Sequence, residues 1–138
     1  MKIAALVLLA LAVAAQLYVR LAPLPRPSAA PQASGAGPGE WSGSNWYEVA
    51  LEADDPLATL AELDSAIRAT ARTEVLSGSA AEGHAAYVTR SLLWGFPDIS
   101  ELWIADGLVH LKGHSIYGKG DIGVNRARLQ GWLATLGD

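Results

Sequence analysis

From Ile3 to Ala15 the chain carries no polar side chain, and its apolar character continues through Gln16-Leu17-Tyr18-Val19 until Arg20. A run of this length and purity does not belong in the core of a small soluble domain. As a helix it sits at the lower edge of what crosses a bilayer, and Tyr18 and Arg20 suit a membrane interface. Two readings compete for it. One is a retained anchor that meets the membrane through residues 3–19. The other is a cleaved signal peptide, which a cationic start at Lys2, an alanine-rich run and the small-residue sites Ala12-Val13-Ala14 or Val13-Ala14-Ala15 also fit. The anchor is taken forward. Lys2 with the amino terminus nearly balances Arg20 with Arg26, so charge sets orientation only weakly. With the N-terminus inside, the expected location is the cell inner membrane, single-pass, with the remaining chain on the periplasmic side.

This run divides the chain into three parts. Residues 1–21 form the anchor or signal segment. Residues 22–45 contain Pro23, Pro25, Pro27, Pro31 and Pro38 among Ala, Ser and Gly, a composition that buries too little apolar surface to offset its ordering entropy. It reads as a tether, extended in its proline-rich half and flexible through Ser34 to Gly39. Residues 46–138 are left to fold, enough for one core filled in part by Trp46, Trp94, Trp103 and Trp132.

Charge separates the same parts. Residues 1–39 hold Lys2, Arg20 and Arg26 and no acid, whereas all fourteen acidic residues lie from Glu40 onward against seven basic ones, so a net charge of −4 conceals a domain at −7. An acidic domain repels phosphate backbones, which argues against nucleic acid as a partner. The chain has no cysteine, so disulfides and thiolate metal sites are excluded.

Within the domain, Trp46 to Leu51 alternates as a strand, with Tyr47, Val49 and Leu51 on one face. Asp54-Asp55-Pro56 announces a helix by a capping carboxylate and a proline at the first helical position. Leu57, Leu60, Leu63 and Ile67 carry its stripe, and it runs to about Ala71. Strands follow at 73–77, 84–93 and 99–105. Asp106-Gly107 is a two-residue hairpin signal joining the last of these to a strand over 108–115. A closing helix from Gly123 carries Leu129, Trp132, Leu133 and Leu136 at core-facing spacing. The fold class is α+β: a two-layer sandwich in which an antiparallel sheet of about five strands carries two helices on one face, preceded by the N-terminal hydrophobic helix.

Functional-looking residues concentrate in Gly118-Lys119-Gly120-Asp121-Ile122-Gly123, which runs into Val124-Asn125-Arg126-Ala127-Arg128. Its glycines permit a tight turn, Asp121 suits a helix cap, and cations surround the helix start. It formally matches G-x-G-x-x-G, yet no second βαβ strand and no ribose-binding acid follow it, so a dinucleotide site is rejected. A single phosphate or lipid head group held by helix amides with Lys119 and Arg126 stays open. So does a structural role, in which Asp121 caps the helix and Asn125 or Arg126 ties the turn back to carbonyls or to Asp98. His110 and His114 lie about 13 Å apart at strand rise, too far to share a metal ion. Ser91 and Ser115 lack nucleophile-elbow spacing. Arg90 and Asp98 flank Trp94-Gly95-Phe96-Pro97, which reads as an ion pair, as a ligand-facing rim, or as a bulged strand with an aromatic core plug at Trp94 and Phe96.

Tyr87-Val88-Thr89-Arg90-Ser91 with Trp94-Gly95-Phe96-Pro97-Asp98, the span ending Tyr18-Val19-Arg20-Leu21-Ala22-Pro23, and above all Asp121-Ile122-Gly123-Val124-Asn125-Arg126-Ala127-Arg128 resemble an uncharacterised bacterial and plastid family. It is catalogued as domain of unknown function fourteen ninety-nine. The resemblance covers nearly the whole domain. The family pattern places an arginine where Ile116 stands and a serine where Gly120 stands, and these departures weaken a polar catalytic cluster at the turn. The resemblance implies an envelope domain and no reaction. The expectation is therefore a membrane-tethered interaction or assembly module without cofactor or metal, with an integral membrane or envelope protein as partner. The alternative is an anion or head-group binder, with a hydrolase as a distant third. The candidate binding residues are Arg90, Asp98, Lys119, Asp121, Asn125 and Arg126.

Overall fold

The computed structural model describes residues 1–28, 30–118, 120 and 123–137. Helix α1 spans Lys2–Leu21, all of it exposed along its apolar run. It is long and apolar enough to cross a membrane, a test that a signal sequence also passes. Then come β1 (Gly39–Ser42), β2 (Trp46–Glu52), α2 (Pro56–Arg68), β3 (Thr73–Ser79), β4 (His84–Arg90), β5 (Pro97–Ala105), β6 (Leu108–Ser115) and α3 (Val124–Leu133). Among the described residues six strands form one antiparallel sheet in the order β1-β2-β6-β5-β4-β3. α2 and α3 cover one face of it.

Local chemistry explains most of these boundaries. Asp55 accepts the Ala58 amide at 3.1 Å and Pro56 opens α2, so three residues set the start of the helix. The helix stops at Arg68, earlier than its apolar pattern suggests. Thr70 turns its hydroxyl onto the Ala66 carbonyl, and Arg72 then takes a left-handed conformation at φ 57°. Asp106 and Gly107, with φ of 51° and 76°, make the mirror-image turn that matches the twist of β5 and β6. α3 lies so close to β6 that a side chain at Gly113 would press on Asn125 and Leu129.

The helix-covered face holds the apolar core. Tyr47, Val49, Leu60, Leu63, Ile67, Tyr87, Leu102, Leu111, Leu129 and Trp132 pack together in it. Tyr87 donates its hydroxyl to Asp64, and Trp132 donates its indole N–H to Thr70, so these two polar tips are satisfied within the core. Leu57, assigned to the α2 stripe, instead faces solvent, because it precedes the turn of α2 that reaches the sheet.

Three other expectations need correction. Gly39–Ser42 is a strand on the edge of the sheet, paired antiparallel with residues 47–50 of β2 across a tight turn, although it falls within the stretch read as a tether. Ser34, assigned to the flexible part, sits on the opposite face of the sheet and hydrogen bonds Glu48 through its backbone N–H and its hydroxyl. β4 ends at Arg90 rather than Leu93. Ser91 closes a turn on Gly95 and Phe96, and this leaves Leu92, Leu93, Trp94 and Phe96 outside the core that Trp94 and Phe96 were expected to plug.

Candidate functional site

A cavity of about 430 Å³ lies where the end of α2, the β4–β5 turn and the start of α3 meet, with Arg72, Arg90, Phe96, Asp98, Tyr117 and Arg128 among its walls. Each of these side chains is positioned by a local cause. Arg72 is carried on the left-handed residue that ends the α2–β3 connection, and its Nε donates to the Arg90 carbonyl at 3.0 Å while the Arg90 amide donates to the Arg72 carbonyl. A non-glycine residue in that conformation is uncommon and holds the guanidinium at the cavity rim. Asp98 pairs in register with Ser115 on the cavity face, and Arg128 reaches its carboxylate at 3.0 Å with both side chains about 15% exposed. Asn125 is fully buried behind them. It donates to the Ser115 hydroxyl at 3.1 Å and accepts from Arg128 at 3.2 Å.

Arg90 does not pair with Asp98. Its guanidinium donates to the Gly95 carbonyl at 3.0 Å and to the Val19 and Arg20 carbonyls at 3.3 and 3.4 Å. Those two carbonyls belong to the last turn of α1, where helix geometry leaves acceptors unpaired and the dipole is negative. Arg90 is therefore a cap supplied to α1 by the domain.

The sequence-predicted residues thus divide. Arg90 and Asp98 line the cavity and Asn125 supports it from inside. Arg126 lies on the other side of α3, its guanidinium 5.4 Å from the Tyr47 ring and 3.7 Å from Glu40, both ends of that ion pair largely exposed. The partner expected of Arg126, Asp98, belongs to Arg128. Lys119 and Asp121 lie outside the described residues, and the N-cap position of α3 is Gly123 at φ 74°. Gly118 also takes a left-handed conformation and Gly120 does not. Ser115 and His114, adjacent in β6, point to opposite faces of the sheet, and the Ser115 hydroxyl is engaged by Asn125, so no serine–histidine couple forms there.

The family of unknown function DUF1499 matches this chain over residues 26–136, which takes in the cavity and both faces of the sheet. The chain belongs to the DUF1499 family. No curated protein matches it. The match begins within the proline-rich stretch, so the DUF1499 domain of this chain includes the segment that carries Ser34 and β1.

That segment builds the second polar cluster of this DUF1499 protein, on the sheet face away from the helices. The Glu48 carboxylate is fully buried there. It meets Ser34, His110 Nδ1 at 3.3 Å and Lys112 Nζ at 3.4 Å, and Lys112 also donates to the Ser34 hydroxyl at 2.9 Å. His110 stacks on Trp103 with ring centroids 4.9 Å apart. Burial alone would raise the pKa of Glu48. The hydrogen bonds from Ser34 and His110 and the charge of Lys112 together outweigh it and hold the carboxyl below its ordinary value. Neighbouring Glu101 is pushed up by burial, only partly opposed by His84 and Lys112.

Sequence reasoning named neither Arg72, Arg128, Tyr117 nor Ser34 as a site residue. Arg128 was findable: three positions after Asn125, it shares that residue's helix face. Arg72 and Ser34 had no such signal, because their positions depend on long-range contacts.

Proposed function

We propose that this DUF1499 protein is a membrane-tethered interaction or assembly module on the periplasmic side of the inner membrane, accessory to an integral membrane complex. The observation that carries the reading is the capping of α1 by Arg90. A domain on a loose tether samples all orientations, whereas one whose own arginine closes the anchor helix presents a fixed face to its membrane neighbours. Purification in mild detergent with crosslinking should recover a defined partner, and Arg90→Ala should weaken that recovery while the domain stays folded. A clean monomer in native membranes would sink the reading. Native protein with an N-terminus at Ala15 or Gln16 would sink the anchor.

A second reading has its own support. The cavity rim holds Arg72, whose two terminal nitrogens have no partner among the described residues, and Tyr117 lines the same cavity. Such a rim suits one phosphate-like anion, free or on a lipid. Phosphate should then raise the melting temperature of the parent protein and not that of Arg72→Ala, as linkage requires. No effect on the parent would defeat this binder.

A further inference from the structure

The turn that closes β4 onto β5 displays its apolar side chains to solvent. Leu92 is 77% exposed, Leu93 72% and Trp94 51%. Chance exposure of one leucine needs no explanation, but three consecutive large apolar residues at the tip of a turn do. Their backbone is closed on itself. The Gly95 amide bonds the Ser91 carbonyl, the Phe96 amide bonds the Ser91 hydroxyl, and the Ser91 amide bonds the Phe96 carbonyl.

The position of this turn decides what covers it. Gly95 lies against the Arg20 guanidinium, and Arg90, at the base of the turn, holds the Val19 and Arg20 carbonyls. α1 has 20 residues, hence a length of about 30 Å, which equals the hydrocarbon thickness of a bilayer. When α1 spans, its last turn stands at the boundary between acyl chains and head groups, and the 92–94 tip stands beside it. Tryptophan is favoured at that depth. Charge agrees: the domain is acidic overall, yet Arg20, Arg72, Arg90 and Arg128 gather around this end, where phosphate head groups would lie.

We propose that Leu92, Leu93 and Trp94 form a wedge that enters the leaflet at which α1 emerges, so that the domain docks on lipid at two adjacent points. This rests on α1 being retained as a span, and the test separates the two claims.

The chain has no cysteine, so Leu93→Cys gives a single site for an environment-sensitive fluorophore. Asp54→Cys, near the Asp106-Gly107 end of the sheet, gives the control. The full chain is reconstituted into mixed phosphatidylcholine and phosphatidylglycerol vesicles with quencher groups high on the acyl chains, and alkaline carbonate extraction reports the span. The label at 93 is expected to shift to the blue and lose roughly half its emission, as for a side chain at the acyl boundary, while the label at 54 keeps its emission. In parallel, brominated lipid should quench part of the parent's tryptophan emission, and Trp94→Phe should abolish that part. Carbonate-resistant protein with equal quenching at 93 and 54 overturns the wedge and leaves the span standing. Protein extracted by carbonate defeats the span and, with it, docking at two adjacent points, even where its 93 label was quenched. Protection at 93 only in native membranes and never in lipid vesicles also overturns the proposal, because a protein surface would then be the occupant.

Discussion

The two faces of the sheet are buried by opposite means. On one, α2 and α3 cover an apolar core in which Leu60, Leu63, Ile67, Leu102 and Leu111 lose all contact with solvent. On the other, Glu48 is equally inaccessible, but it is surrounded by Lys112, His110 and the backbone and hydroxyl of Ser34. Apolar burial is proportional to area and indifferent to detail. Burial of a carboxylate is unfavourable unless every lone pair finds a partner. The first face therefore tolerates exchange of one hydrophobe for another, whereas the second depends on individual atoms.

Truncation in the core should have the largest effect. Leu63→Ala removes a fully buried side chain and should cost about 3 kcal/mol in urea denaturation, within the range for such cavities. Leu63→Met should cost well under half of that, since volume is kept. Equal losses from the two variants would show that the helix-covered face is also read in atomic detail.

On the other face the isosteric change should matter. Glu48→Gln keeps the volume but leaves Lys112 and His110 without their anion, and about 2 kcal/mol is expected, since Lys112 retains some access to water. Ser34→Ala removes only the hydroxyl and should cost about 1 kcal/mol. The double variant should fall short of the sum, because both changes break one network. Additive losses would mean that Ser34 rests on the sheet without holding Glu48.

The same contrast decides what was legible in the sequence. Alternation in Tyr47-Val49-Leu51, the Asp55-Pro56 start of α2 and the Asp106-Gly107 turn are local signals, and the elements they predict are present. The helix-covered face follows from them. β1 was hidden because Gly39-Glu40-Trp41-Ser42 has turn composition and becomes a strand only by pairing with β2. The 92–96 turn was misread because apolar side chains suggest burial, and nothing local distinguishes a core plug from an exposed tip. At the cavity, Arg90 and Asp98 were visible as charges flanking a bend. Their partners were not, since Arg90 bonds carbonyls 70 and 71 residues away and Asp98 is met by Arg128, 30 residues on.

Titration should give the smallest effect and the sharpest separation of the faces, because three shifted groups lie away from the helices. Burial first, then the charge of Lys112, holds His114 below its ordinary value of 6.5. The unfolded chain thus binds the proton first, and stability falls as pH drops below 6.5 toward the folded pKa. Glu48, also lowered, adds a loss in the window below 4.5. Glu101 has the opposite sign. Its folded pKa lies above 4.5, so its contribution is fully present below 4.5 and is lost as pH rises through the folded value. Glu101→Gln should accordingly melt higher than the parent at pH 7 and lose that advantage below pH 4.5, while Glu48→Gln should melt lower at pH 7 and approach the parent as pH falls below 4.5 through the folded value. Leu63→Ala should run parallel to the parent across the whole range. Crossing curves for the two glutamate variants place the proton-linked stability on the outer face, and parallel curves for all three would remove it from there.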